Sequence, residues 1–246
     1  MGLRDLFGGG GGKSKLAKHV KTTTNQYTQS AERYHAMEQL MSIAAKDDAQ
    51  MVEAYVGVLK RFTMTSTKSI EDEEEKGWAY RRLSAIGKPL LPALEKFCLE
   101  ADNIAWALRI LEDIADEDEE WAILDKLVEA HPPGYERDPS KKIQLLTHLA
   151  EIEDPQVPKL LAGYLKDDDE TVRFFAVEQL IDIAEIGSLA PLMERLGDPK
   201  EDSLRLRTRI LDGLADLQWD VSAYKDVVTS NLGGDHAYTN DRVTRR

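Results

Sequence analysis

Cysteine is nearly absent from this 246-residue chain, in which Cys98 stands alone. A single thiol excludes an internal disulfide framework and fits a reducing compartment, so the cytoplasm is the expected location. Cys98 sits among Leu94, Phe97 and Leu99 in a helical pattern, which makes it a small buried apolar side chain rather than a nucleophile. Long apolar runs are missing too: no stretch approaches membrane-spanning length, and residues 1–7 are too short and too polar for a secretory core. Histidine is sparse and scattered. His19, His35, His131, His148 and His236 include no pair four residues apart and no HExxH context, so no metal site is expected. No serine lies in a nucleophile-elbow sequence, and neither a catalytic residue nor a cofactor is expected. Positive charge is short as well. With 32 Lys and Arg against 45 Asp and Glu, the formal charge of −13 disfavours nucleic acid or an anionic membrane as the main partner.

What is present begins with an asymmetry. Residues 1–30 carry a local charge of +4, leaving −17 for the remainder. The opening joins an apolar tip (Leu3, Leu6, Phe7) through five glycines to a Lys-rich stretch, and residues 1–28 read as a flexible basic tether, with docking of the apolar tip on a protein or membrane surface as the runner-up use. Gly12-Lys13-Ser14 looks like the end of a phosphate-binding loop, but the first required glycine falls on Phe7 and no strand precedes it. Gly2 starts a myristoylation pattern that fails at Leu6.

From about Ser30 to Leu232 an apolar period of 3.6 residues recurs, with one long non-helical insertion at residues 131–139. Residues 167–198 contain one complete unit: an acidic start, a helix with Val172, Ala176, Val177, Leu180 and Ile183 on one face, a turn at Ile186-Gly187, and a short helix with Leu189, Leu192, Met193 and Leu196. A lone helical hairpin cannot bury two such faces, so it needs neighbours. Leu180 has counterparts at Leu40, Leu83, Leu111, Leu149 and Leu214, with gaps of 43, 28, 38, 31 and 34 residues. Three positions later come Ile43, Ile86, Ile114, Ile152, Ile183 and Leu217, expected on the same helix face.

Seven positions before the marker Leu stand Arg33, Lys76, Lys142, Arg173 and Arg207, with Ile104 as the exception. A cation near a helix start opposes the helix dipole and needs an acidic partner from the preceding turn, such as Asp169, or from the adjacent repeat. These positions therefore read as a structural ladder. The acidic clusters at 71–75, 116–120 and 167–170 read as caps and solvated turns. Residues 131–139, with three prolines and a glycine, form an exposed loop, and the aperiodic residues 233–246 read as a disordered tail.

At Asp169, Arg173, Ala176 and Leu180, followed by Ile186-Gly187 and the Pro191 helix, the chain resembles HEAT repeats, including the short bacterial kind grouped with phycobilisome-lyase-type repeats. The resemblance spans about residues 13–231, with departures at Ile104, Glu153 and Gln218. It implies an all-α, right-handed solenoid of about six helix pairs over residues 29–232, with the marker-Leu helices on the concave side. The solvent-facing positions just before each Leu then form a ridge, and Arg81, Arg82, Arg109, His148 and Gln179 are its expected partner-binding residues. The function implied is a non-enzymatic scaffold or adaptor for another protein. The alternative is an enzyme on the same repeats, a bilin lyase or isomerase, or a DNA glycosylase, which the acidic body disfavours.

Overall fold

The computed structural model describes residues 9–66 and 68–246 and divides the chain into two compact units, Met1–Ala130 and His131–Arg246. Each is an α-solenoid of helix pairs. In the first, α1 (Gly9–Thr24) packs on α2 (Ser30–Ala44) and α3 (Met51–Leu59). A 3-10 turn, Lys60–Thr63, leads to α4 (Ser69–Ser84), and another, Lys88–Leu90, to α5 (Leu91–Glu100), α6 (Ala105–Ile114) and α7 (Glu117–Ala130). Helices α2, α4 and α6 follow one another in one layer, and α3, α5 and α7 in the other.

The second unit holds α8 (Ser140–Glu151), α9 (Val157–Tyr164), α10 (Glu170–Ile183), α11 (Leu189–Leu196), α12 (Leu204–Leu217) and α13 (Lys225–Asn231). Helices α8, α10 and α12 form one layer; α9 lies against α8 and α10, and α11 against α12 and α13. The start and stop of α10 are written locally. The Asp169 carboxylate accepts from the backbone N–H of Thr171 (2.8 Å) and Val172 (3.2 Å), and Ala184 ends the helix in the left-handed region at φ 56°. Ser203 and Gln218 repeat the device around α12, the Ser203 hydroxyl accepting from Leu206 N–H at 3.1 Å.

All six marker leucines are buried, as are Ala36, Ala79, Ala107 and Ala176 one turn earlier. The residues three positions on behave differently. They fall in the last turn of each helix or just past it, where Ile183 is exposed and the others only half-buried. Two glycines permit close crossings. A Cβ on Gly57 of α3 would stand 2.7 Å from Val20 of α1, and one on Gly213 of α12 would run into the Ile181 side chain of α10.

Two boundary expectations are corrected. Residues 9–24 are helix rather than tether, with the half-buried Leu16 and Val20 and the buried Thr23 on the inward side. The glycines continue a helix that tertiary packing has already paid to nucleate. The apolar tip at Leu3, Leu6 and Phe7 lies outside the described residues. The tail is no frayed end either: β1 (His236–Thr239) and β2 (Arg242–Arg245) pair antiparallel, with Tyr238 opposite Val243. Asn240 and Asp241, at φ 51° and 62°, make the two-residue turn whose twist suits a hairpin. Val243 and His236 are buried. The hairpin is tied to the end of the α12 pair by Val221 N–H donating to Asp241 O (2.8 Å) and by His236 Nε2 against Asp212 Oδ1 (3.0 Å).

Candidate partner-binding face

Beneath the outward face of the first unit lies a buried cluster of charge. Glu75, fully buried on α4, accepts from Arg33 of α2 through Nε (2.8 Å) and Nη2 (2.7 Å) and from Arg61 Nε (2.7 Å). Arg61, fully buried in the turn after α3, also donates to Asp72 Oδ1 (2.7 Å) and to the Met64 carbonyl (3.0 Å). Lys76 Nζ donates to the other Asp72 oxygen at 2.6 Å. Burial alone would push the Glu75 and Asp72 carboxyls up. Hydrogen bonds from Arg33, Ser30 and Arg61 at Glu75, and from Lys76, Arg61 and Ser66 N–H at Asp72, outweigh it and hold both below their ordinary values. The cluster locks α2, the turn after α3, and α4 into one register, because a charge left alone at such a site is costly.

Fixed by that lock, α4 presents Trp78 on one flank and Tyr80 on the other. Trp78 meets Tyr34 of α2 edge to face at 5.3 Å between ring centroids, and Tyr80 meets Trp106 of α6 at 5.8 Å. Trp106 in turn stacks on the buried Phe62 at 5.5 Å with only 8° between planes. The four outer rings are half-buried and link three successive helices of one layer. Arg82 lies over Trp78 at 5.7 Å, and Arg109 lies over both Tyr80 (5.3 Å) and Trp106 (5.2 Å). Arg81 is exposed between the flanks, folded back toward Gly77. Among the described residues, none of these three arginines forms an ion pair. The nearby carboxylate Asp113 is engaged elsewhere: it accepts from Ser84 Oγ at 2.9 Å and from the Tyr80 phenol, which that bond, and then burial, push up from its ordinary value.

The structure thus brings Arg81, Arg82 and Arg109 onto one aromatic-backed face. It corrects His148, which is 5% exposed: the inward side of α8 is broad, taking in Lys141, Lys142, Leu145, Leu146 and Leu149, and His148 is part of it. Gln179 is half-buried on α10, in the second unit. The contacts between rings of different helices are not legible in the sequence; what is visible is that Trp78 and Trp106 each precede the small residue of their repeat, Ala79 or Ala107, and stand one turn before Arg82 and Arg109.

In the second unit the ladder runs one rung per repeat. Lys142 Nζ donates to Asp167 Oδ2 and to the Gly134 carbonyl, both at 2.7 Å. Arg173 donates to Glu201 through Nε (2.9 Å) and Nη2 (3.2 Å), and its Nη1 holds the Asp167 and Asp168 carbonyls. Burial pushes the Glu201 carboxyl up, but Arg173 and the Ser203 N–H bring it below its ordinary value. Lys142 and Arg173 each cross to the carboxylate of the next repeat, as the alternative to Asp169 anticipated, whereas Arg207 donates to the Glu201 carbonyl; Asp169 itself caps its helix. The acidic partners were legible, since Glu136, Asp167 and Glu201 all stand six positions before a ladder cation. The Pro-rich loop is pinned by the same network, with Gly134 N–H donating to Asp167 Oδ2 (3.0 Å) and Tyr164 OH to the His131 carbonyl (2.9 Å).

The family model for HEAT repeats matches residues 134–211. The match takes in α8 to α11 and most of α12, the part of the chain where the ladder is regular. No curated protein and no solved structure matches the chain. No helix among the described residues is long and apolar enough to cross a membrane.

Proposed function

We propose that the protein is a non-enzymatic scaffold that receives another protein on the α2, α4 and α6 layer of its first unit. HEAT repeats commonly serve as protein-interaction scaffolds, and the repeats of the second unit carry that general reading. The single observation that favours this face is the set of three arginines without an ion pair, Arg82 and Arg109 over half-buried rings and Arg81 beside them, in a chain whose other described arginines are largely tied into ion pairs, as Arg33, Arg61, Arg173 and Arg195 are. Aromatic and arginine side chains are the residue types that dominate interface energetics. The finer likeness, to the short bacterial repeats, rests on Asp169, Arg173, Ala176 and Leu180. On this reading the scaffold works in the cytoplasm, where Cys98 stays reduced.

The test is affinity capture of the full tagged chain from the cells that express it, beside the R81Q/R82Q/R109Q variant, with quantitative mass spectrometry. Partners enriched on the wild type and lost on the variant are expected. An identical set on both would remove this face from the function.

A further inference from the structure

The scaffold reading leaves the chemistry of the partner open, and the geometry of the arginines speaks to it. A guanidinium laid over an aromatic ring is held by its planar face, so its N–H groups remain directed outward around its edge. That edge matches a carboxylate, which takes two parallel N–H bonds. Arg109 Cζ stands 5.3 Å and 5.2 Å from the centroids of Tyr80 and Trp106, and Arg82 Cζ 5.7 Å from that of Trp78, within reach of the attraction that biases where each guanidinium sits. Their side chains are thus pre-positioned before any ligand arrives, which lowers the ordering cost of binding. The rings beside them, Tyr34, Trp78, Tyr80 and Trp106, offer apolar surface between the charged points. The carboxylates carried by the neighbouring helices, Glu38 on α2 and Glu112 and Asp113 on α6, leave the three guanidinium groups unpaired.

We infer that this face takes an acidic protein segment, its carboxylates seated on Arg81, Arg82 and Arg109 and its apolar side chains against the rings. The inference rests on the scaffold reading and sharpens it. Three cations within a chain of net charge −13 suit a short acidic segment better than a phosphate backbone, which calls for a long basic track.

The experiment is fluorescence anisotropy with the full chain and a short fluorescein-labelled peptide alternating glutamate and phenylalanine. The same peptide with glutamine for glutamate, a phosphoserine version and a single-stranded oligonucleotide serve as competitors. The glutamate peptide should bind about tenfold or more tighter than the glutamine peptide, and added salt should weaken it. Binding should vanish in R81Q/R82Q/R109Q. R109K keeps the charge but loses the planar fork, and should weaken binding about tenfold. Circular dichroism would confirm that both variants remain folded. Absence of binding, equal affinity for the glutamate and glutamine peptides, wild-type affinity in R109K, or preference for the phosphoserine peptide or the oligonucleotide would each overturn the inference. Captured partners that depend on the arginines, together with a peptide series showing no preference for glutamate, would sink the acidic segment and spare the scaffold. Captured partners indifferent to the arginines would sink the scaffold face itself.

Discussion

In the second unit each rung of buried charge joins neighbouring repeats, Lys142 to Asp167 and then Arg173 to Glu201, whereas in the first unit three cations converge on the two carboxylates Asp72 and Glu75. The regular ladder spreads its load over separate rungs: Lys142 and Asp167 are sealed off, while the side chains of Arg173 and Arg195 remain 11% and 10% exposed. The condensed cluster concentrates it in a site where Arg61 and Glu75 are sealed off. The charge pairing therefore recurs from repeat to repeat in the second unit and not in the first. Where α6 has Ile104 in place of a ladder cation, the first unit instead puts Arg109 on the outer face.

The largest expected effect separates the two arrangements. Glu75→Leu strands two buried guanidinium groups and should cost about 3–5 kcal/mol. Glu201→Leu leaves cations that can reach solvent and should cost about 1–3 kcal/mol. Urea unfolding followed by tryptophan fluorescence reads the first change well, because Trp78, Trp106 and Trp121 all lie in the first unit. Equal losses would erase the distinction.

Close crossings come next. Gly57→Ala would drive a methyl into Val20 and Leu40, and Gly213→Ala one into Ile181; each should cost about 1–3 kcal/mol. Pairing Gly213→Ala with Ile181→Val should recover part of the loss, measured as a double-mutant cycle. No recovery would place the strain elsewhere.

Acid should act on both units through the same sign. The Glu75, Asp72 and Glu201 carboxyls all sit below their ordinary values in the folded chain, so their stabilisation is complete above the unfolded carboxylate range, near pH ~4, and fades as pH falls through the folded values. Thermal melts from neutral pH downward should show the loss, and Glu75→Gln should flatten its slope. A pH-independent melting temperature would refute the assignment.

Smaller still is Asp169→Ala, which removes two accepted N–H bonds at the start of α10 and should cost about 1 kcal/mol. Arg81→Gln, on the exposed face of α4, should shift stability by no more than about 0.5 kcal/mol, as checked by the same melts. A larger loss would mean that this arginine holds the fold.

The stacked helices were legible because six buried leucines recur against a helical period that no strand pattern could mimic. The ladder was legible for the same reason, since a cation that opposes a helix dipole demands an acid nearby. The terminal pieces were not. Four glycines say nothing of the packing that extends α1 through them, and strands of four residues are too short for alternation to stand out beside Asn240-Asp241. His148 was misplaced because helical spacing gives a direction but not the width of the buried face on α8. Trp78 and Trp106 stand one turn before Arg82 and Arg109 on the same helices, a spacing that local pattern does show, whereas the Tyr80 ring comes to Arg109 from another helix, beyond its reach.

Hydrogen–deuterium exchange of the full chain, with and without the glutamate-phenylalanine peptide, tests most directly whether the irregular unit is the one that binds. Slower exchange confined to residues 69–84 and 105–114, with none added across 140–231, is the expected result. Protection falling instead on the regular repeats of the second unit would contradict the account.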